Sequence, residues 1–183
     1  MVENAALRVS SLSANTLPNS LTTTTIPLIW ICPSGWIMFD RGSYKWCMKN
    51  YYGIATYNLG RSSCQSLDKR ATLSGFQNAN ERVTMAQLAR SESTASDLAV
   101  GAYRYNRCVG QVQTPTCTKW NSFYWTDGYT SGTDGFDWDV TQPDDDMLQQ
   151  NAVKIWTSSG LLDDWEANRI VFGAVCGRIA DSY

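Results

Sequence analysis

Across residues 30–52 apolar and polar side chains alternate around Gly35 and Gly42, with Ile37, Phe39, Tyr44 and Trp46 at β-prone positions. That period of two predicts a hairpin. Over residues 56–68 the period lengthens and Tyr57, Cys64 and Leu67 fall on one helical face, although Gly60 costs about 1 kcal/mol relative to alanine. A second helix is predicted after Asn78-Ala79-Asn80-Glu81, which has the spacing of a capping box, because Val83, Met85, Ala86, Leu88 and Ala89 continue at helical intervals. Residues 98–103 read as a short strand, as do 153–156 and 170–176, the last as a buried strand because its apolar run is continuous. From Tyr103 to Gln150 the chain is rich in Gly, Asp, Thr and Pro. Irregular loops beyond about 12–15 residues are uncommon unless they carry a function. Two helices with a small antiparallel sheet give an α+β domain, and the absence of repeats makes one binding site the default.

The 183 residues fit one domain with a tail. The domain is expected over residues 29–183 and a flexible tail over residues 1–28. That first stretch is rich in Ser, Thr and Asn and shows no basic region followed by an apolar core, so no secretory signal is visible in it. It reads as a tail or as a start that has lost its true signal peptide. Its apolar run, residues 26–31, falls far short of the roughly 18 residues that a membrane span needs.

A net charge of −2 with scattered Lys and Arg provides no footprint for nucleic acid. The chain has no histidine, which removes Ser-His and Cys-His catalysis and every His-containing zinc site. Six cysteines without a Cys-x-x-Cys pair read as a disulfide framework, hence an oxidising compartment and a secreted protein. Spacing alone leaves all fifteen pairings open.

Two stretches carry the candidate chemistry: Phe136-Asp137-Trp138-Asp139-Val140-Thr141-Gln142-Pro143-Asp144, and later Leu162-Asp163-Asp164-Trp165. Both concentrate oxygen donors, and a calcium ion takes about 6–8 oxygens from carboxylates, amides, carbonyls and water. Pro143 fixes its own φ and, were its peptide bond cis, would aim Gln142 and Asp144 to one side. The alternative reading of these aspartates is a solvated acidic rim.

These residues resemble the sugar-binding loops of the C-type lectin-like domain family, where Glu-Pro-Asn or Gln-Pro-Asp and a later Trp-Asn-Asp supply calcium ligands. The likeness extends to Cys32-Pro33-Ser34-Gly35-Trp36, Ala71-Thr72-Leu73-Ser74 with Glu81, Trp125-Thr126-Asp127-Gly128 and Val171-Phe172-Gly173-Ala174-Val175-Cys176. The Gly- and Thr-rich run over residues 129–135 resembles an invertebrate secreted subgroup. What the resemblance implies is a C-type lectin-like fold with a long ligand-binding loop, and bridges Cys32–Cys47, Cys64–Cys176 and Cys108–Cys117. It implies metal ligands Gln142, Asp144, Gln150, Asp163 and Asp164, with Gln142, Asp144, Asp163, Asp164 and Trp165 on the sugar.

The chain departs from the family pattern at several of these positions. Gln150 stands where Glu is usual, Asp163 where Asn is usual and Leu162 where Trp is usual, so three carboxylates remain in the ligand set. Ala152 and Ala167 occupy the positions of a cysteine pair that normally clamps the loop, a crosslink typically worth about 2–4 kcal/mol.

The expected function is calcium-dependent binding of a glycan or glycoprotein, with galactose-type sugars implied by Gln-Pro-Asp. Trp165, next to Asp164, is the expected stacking surface for a pyranose, whereas Trp125 and Trp138 are expected in the core. The alternative is a calcium-independent domain of the same kind that binds a protein or other surface ligand. Asp144 and Asp164 could pair as glycosidase carboxylates, but without a catalytic frame around them the expectation is that the protein is not an enzyme.

Overall fold

A computed structural model describes residues 28–111 and 113–183; the tail expected over residues 1–28 lies, apart from Leu28, outside the described residues. The chain enters through β1 (Trp30–Ile31) and turns into the expected hairpin, β2 (Ile37–Asp40) against β3 (Lys45–Ala55). Its turn uses Gly42 at φ +75°, where the amide donates to the Asp40 carboxylate at 2.9 Å.

Helix α1 (Tyr57–Leu67) starts where the Thr56 hydroxyl accepts the Leu59 amide at 3.2 Å. Gly60 has a packing reason: a Cβ there would lie 2.7 Å from Leu73 of β4 (Thr72–Leu73). Helix α2 (Ala79–Glu92) is capped by Asn78, whose side chain accepts the Glu81 amide at 3.1 Å. The reciprocal half of the capping box does not form. Glu81 turns instead to the Gln77 amide at 2.7 Å and to Arg41 at 2.6 Å, a fully buried ion pair. The buried face of α2 is Arg82, Met85, Ala86 and Ala89, while Val83 turns outward.

The main sheet runs β2-β3-β9-β5-β7-β8, built by adding β5 (Asp97–Arg104), β7 (Gln150–Trp156), β8 (Leu162–Glu166) and β9 (Val171–Ile179). Strand β9 lies between β3 and β5, which explains its continuous apolar run. Every pairing is antiparallel except the single β5–β9 contact. Strand β6 (Phe123–Trp125) hangs on β5 inside what the sequence presents as one long loop, and β10 (Asp181–Ser182) pairs with β1 in a separate two-stranded sheet.

The core gathers Trp46, Phe76, Met85, Leu98, Val100, Ile155 and Leu162, the last filling the place where the resemblance implies Trp. Aromatic stacking then fixes the middle of the long loop. Phe136 stacks on Trp125 with centroids 4.0 Å apart and on Trp138 at 5.6 Å, and both tryptophans are buried as expected. The three disulfides are Cys32–Cys47, Cys64–Cys176 and Cys108–Cys117, with Cα separations of 5.6, 5.3 and 5.6 Å.

Gly135 anchors the same loop, because a Cβ there would sit 1.8 Å from the Phe76 carbonyl oxygen. Gly135→Ala is expected to destabilise the domain by about 2–3 kcal/mol, read as a lower urea midpoint at unchanged slope.

Candidate functional site

The last part of the long loop meets the β7–β8 hairpin at a cleft of about 380 Å³. Gln142, Asp144, Gln150, Asp163 and Asp164 all line it. The loop is shaped by a cis Gln142–Pro143 bond and by four non-glycine residues in the left-handed region: Thr141, Asp145, Met147 and Leu148. Strand pairing places Asp163 opposite Lys154 and Asp164 opposite Val153.

Asp164 is fully buried and each of its oxygens is engaged. One accepts the Asp144 amide at 3.0 Å; the other accepts the Asp145 amide at 3.0 Å and a short contact from Arg104. Arg104, at the end of β5, also donates to the Gln150 carbonyl at 2.9 Å and lies 3.6 Å from the Asp145 carboxylate. Its guanidinium rests on the Phe123 ring, 4.5 Å from the centroid. One cation therefore joins β5, β7, β8 and the loop. Burial pushes the Asp164 carboxyl up to about 7, against the pull of Arg104 and the two amides. Asp145 donates nothing to the cleft: it is buried, it accepts the Gln150 amide at 3.0 Å, and its other oxygen has no partner among the described residues.

Toward solvent the bonding is looser. Gln142 and Gln150 accept the amides of Asp144 and Asp146 at 3.1 and 2.9 Å, and one oxygen of the exposed Asp144 accepts the Asp146 amide at 3.2 Å. Lys154 sits 3.4 Å from Asp163 and 3.3 Å from Asp97. Burial raises the Asp163 carboxyl above its ordinary value, with Lys154 opposing. Donor chemistry suits a hard cation, since all five residues offer oxygen and both glutamine carbonyls keep a second lone pair. Among the described residues, however, no three acidic side chains converge as a metal centre.

Trp165, the residue expected to stack on a sugar, lines the same cleft but is 3% exposed, its ring packed into a second cluster across from Ala152. Ala152 and Ala167, in place of the clamping cysteines, pack in that cluster. Sequence reasoning missed Arg104, Asp145 and Lys154. The available signal was a basic residue directly after a strand of apolar and small residues; nothing in it named an acidic partner 60 positions away.

The sheet order, the two helices and the long disulfide-bearing loop constitute the C-type lectin-like fold. CEL-I from Cucumaria echinata, a C-type lectin, is similar with a TM-score of 0.59 at 21% identity, over 80% of this chain and 96% of its own. The cow CD23 carbohydrate-recognition domain, solved with a GlcNAc2Man3 oligosaccharide, scores 0.60 at 20% identity, over 84% and 99%. A calcium-independent type II antifreeze protein scores 0.59 at 18% identity, over 84% and 98%. No protein-family model matches the sequence, and no curated protein matches it. The same fold thus serves a lectin, a carbohydrate-recognition domain and a calcium-independent antifreeze protein.

Removing Arg104 strands two buried carboxylates. Arg104→Met is expected to cost about 3–5 kcal/mol in urea unfolding. The wild type, kept in chelator, should lose stability as pH rises from about 4 to 7, because the folded state holds a proton on Asp164 that the unfolded state has released. A flat profile over that window would show that Asp164 is ionised throughout.

Proposed function

We propose that the domain is a secreted lectin that takes up calcium in the Pro143 cleft and binds a glycan or glycoprotein there without turnover. What carries the reading is convergence: Gln142 and Asp144 from the loop, Gln150 from the start of β7, and Asp163 and Asp164 from β8 line one cleft. Bound calcium would supply an electrophilic centre for two adjacent sugar hydroxyls. The chain's own groups would do the discriminating. Gln142 offers amide N–H donors on one side of Pro143 and Asp144 a carboxylate acceptor on the other, so their order selects a hydroxyl geometry. The Gln-Pro-Asp order supports galactose-type sugars. Three disulfides support secretion, and no described helix is long and apolar enough to cross a membrane.

Arg104 and Lys154 favour a second reading. Each already neutralises a carboxylate that a metal would use, Asp164 and Asp163 respectively, as a calcium-independent domain of this fold would need.

Calcium titration separates the two. On the first reading, calcium at a hundredfold excess over its dissociation constant adds about 2.7 kcal/mol, seen as a higher melting temperature than in chelator. Asp144→Ala is the clean variant, because Asp144 is exposed whereas Asp164→Ala also removes the closer of the two carboxylates that face the buried Arg104. Asp144→Ala should abolish calcium-dependent retention on galactose beads, and Asp181→Ala should leave it intact. Galactose retention in Asp144→Ala equal to wild type would eliminate the calcium lectin.

Proton competition provides a further check. A ligand carboxylate must be ionised, so calcium affinity should fall about tenfold per pH unit below 7 and level off above it.

A further inference from the structure

With Trp165 buried, the aromatic surface that faces solvent lies elsewhere. Tyr105, just after β5, and Tyr124, in β6, are each 37% exposed, and Trp120 is 47% exposed. All three line one cleft of about 460 Å³, within the range of small-ligand sites. Its floor is the buried Phe123 and Trp125, which alternate with Tyr124 along β6.

The rings are held rigidly. Tyr105 and Tyr124 lie 4.7 Å apart, and the Arg107 guanidinium covers Tyr105 at 4.3 Å. Arg107 is itself fixed by donating to the Asn121 carbonyl at 2.8 Å and has no carboxylate partner among the described residues. Trp120 also lines an adjoining shallow cleft with Arg82 and Phe136. A large ring in such a position is not needed for packing, and its exposure leaves apolar area in water that a ligand could cover.

We propose that this cleft is a second glycan-binding site, which takes an oligosaccharide without calcium. The chemistry of the lining selects the occupant. Beyond the rings and Arg107 it consists of Asn121, Thr130, Ser131, Gly132 and Thr133, with no aliphatic side chain and no carboxylate. A protein segment would seek aliphatic contacts, and a cation would seek carboxylates. A pyranose presents an apolar C–H face to Trp120 or Tyr124 and a rim of hydroxyls to the amide, hydroxyl and guanidinium groups. The site shares no lining residue with the Pro143 cleft, so it stands or falls independently of the proposed calcium site.

The test is saturation-transfer NMR in chelator, using β-linked hexasaccharides of glucose, N-acetylglucosamine and galactose as probes. The expected result is transfer to at least one probe, an affinity roughly tenfold lower in Trp120→Ala and in Tyr124→Ala, and no change in Asp144→Ala. Both aromatic side chains are exposed and make no side-chain hydrogen bond among the described residues, so each variant should keep the wild-type melting temperature. No transfer to any probe overturns the proposal, as does transfer that survives both aromatic variants. Loss in Asp144→Ala would assign the glycan to the other cleft. A wild-type dimer in sedimentation that Trp120→Ala dissociates would make this face a contact between copies of the chain.

Discussion

The guanidinium of Arg104 ties the last part of the long loop to the sheet. It emerges from the last residue of β5 and reaches a carboxylate of β8, a carbonyl at the start of β7 and a second carboxylate in the loop. A buried ion pair of this kind is a poor source of net stability, since desolvation offsets most of its Coulomb attraction. Its value is geometric. The two oxygens of Asp164 also collect the amides of Asp144 and Asp145, so the backbone on both sides of the Asp144–Asp145 bond is positioned by the same carboxylate that Arg104 orients. A loop without the usual clamping bridge, with Ala152 and Ala167 in its place, is held by these charges and by the stacking of Phe136 between Trp125 and Trp138.

How much of this could be read from the chain follows from which signals are local. The hairpin, both helices and β9 announce themselves by period and caps, and they stand where period and caps put them. Strand β8 does not, because Leu-Asp-Asp-Trp-Glu has neither alternation nor an apolar run, and its aspartates are buried only by virtue of distant cations. The sequence drew attention to those acids as ligands and concealed that they are strand residues. Trp165 shows the same limit: its place beside Asp164 at the cleft is local, whereas its burial comes from distant neighbours. The capping box at Asn78 was half legible, since its acceptor side is local while the Glu81 carboxylate is claimed by Arg41, 40 positions earlier.

The two proposed sites would separate two modes of sugar recognition that are often expected side by side. The Pro143 cleft is rich in oxygen and charge and poor in accessible rings, and the cleft beside Tyr105 and Tyr124 is the reverse. Charge-rich surface recognises hydroxyl stereochemistry, and aromatic surface recognises the flatness of a sugar face. A polymer long enough to touch both would be held by two contacts at once, so the second would act at an effective concentration set by the chain between them.

The small sheet of β1 and β10 governs how the domain bears load. Ile29 and Tyr183 exchange backbone hydrogen bonds at 3.1 Å, with Trp30 opposite Ser182 and Ile31 opposite Asp181, so the two ends of the described chain leave side by side. Tension applied through those ends meets this ladder lengthwise from its open end and parts it one rung at a time, at low force. On the N-terminal strand the peeling then reaches Cys32, bridged to Cys47 of β3, whereas on the other it must strip Ile179, Arg178 and Gly177 from β3 before it reaches Cys176. Force is therefore met first by a short zipper and, on the N-terminal strand, by a sulfur bridge one residue beyond it, while the other strand leads into β9 of the main sheet.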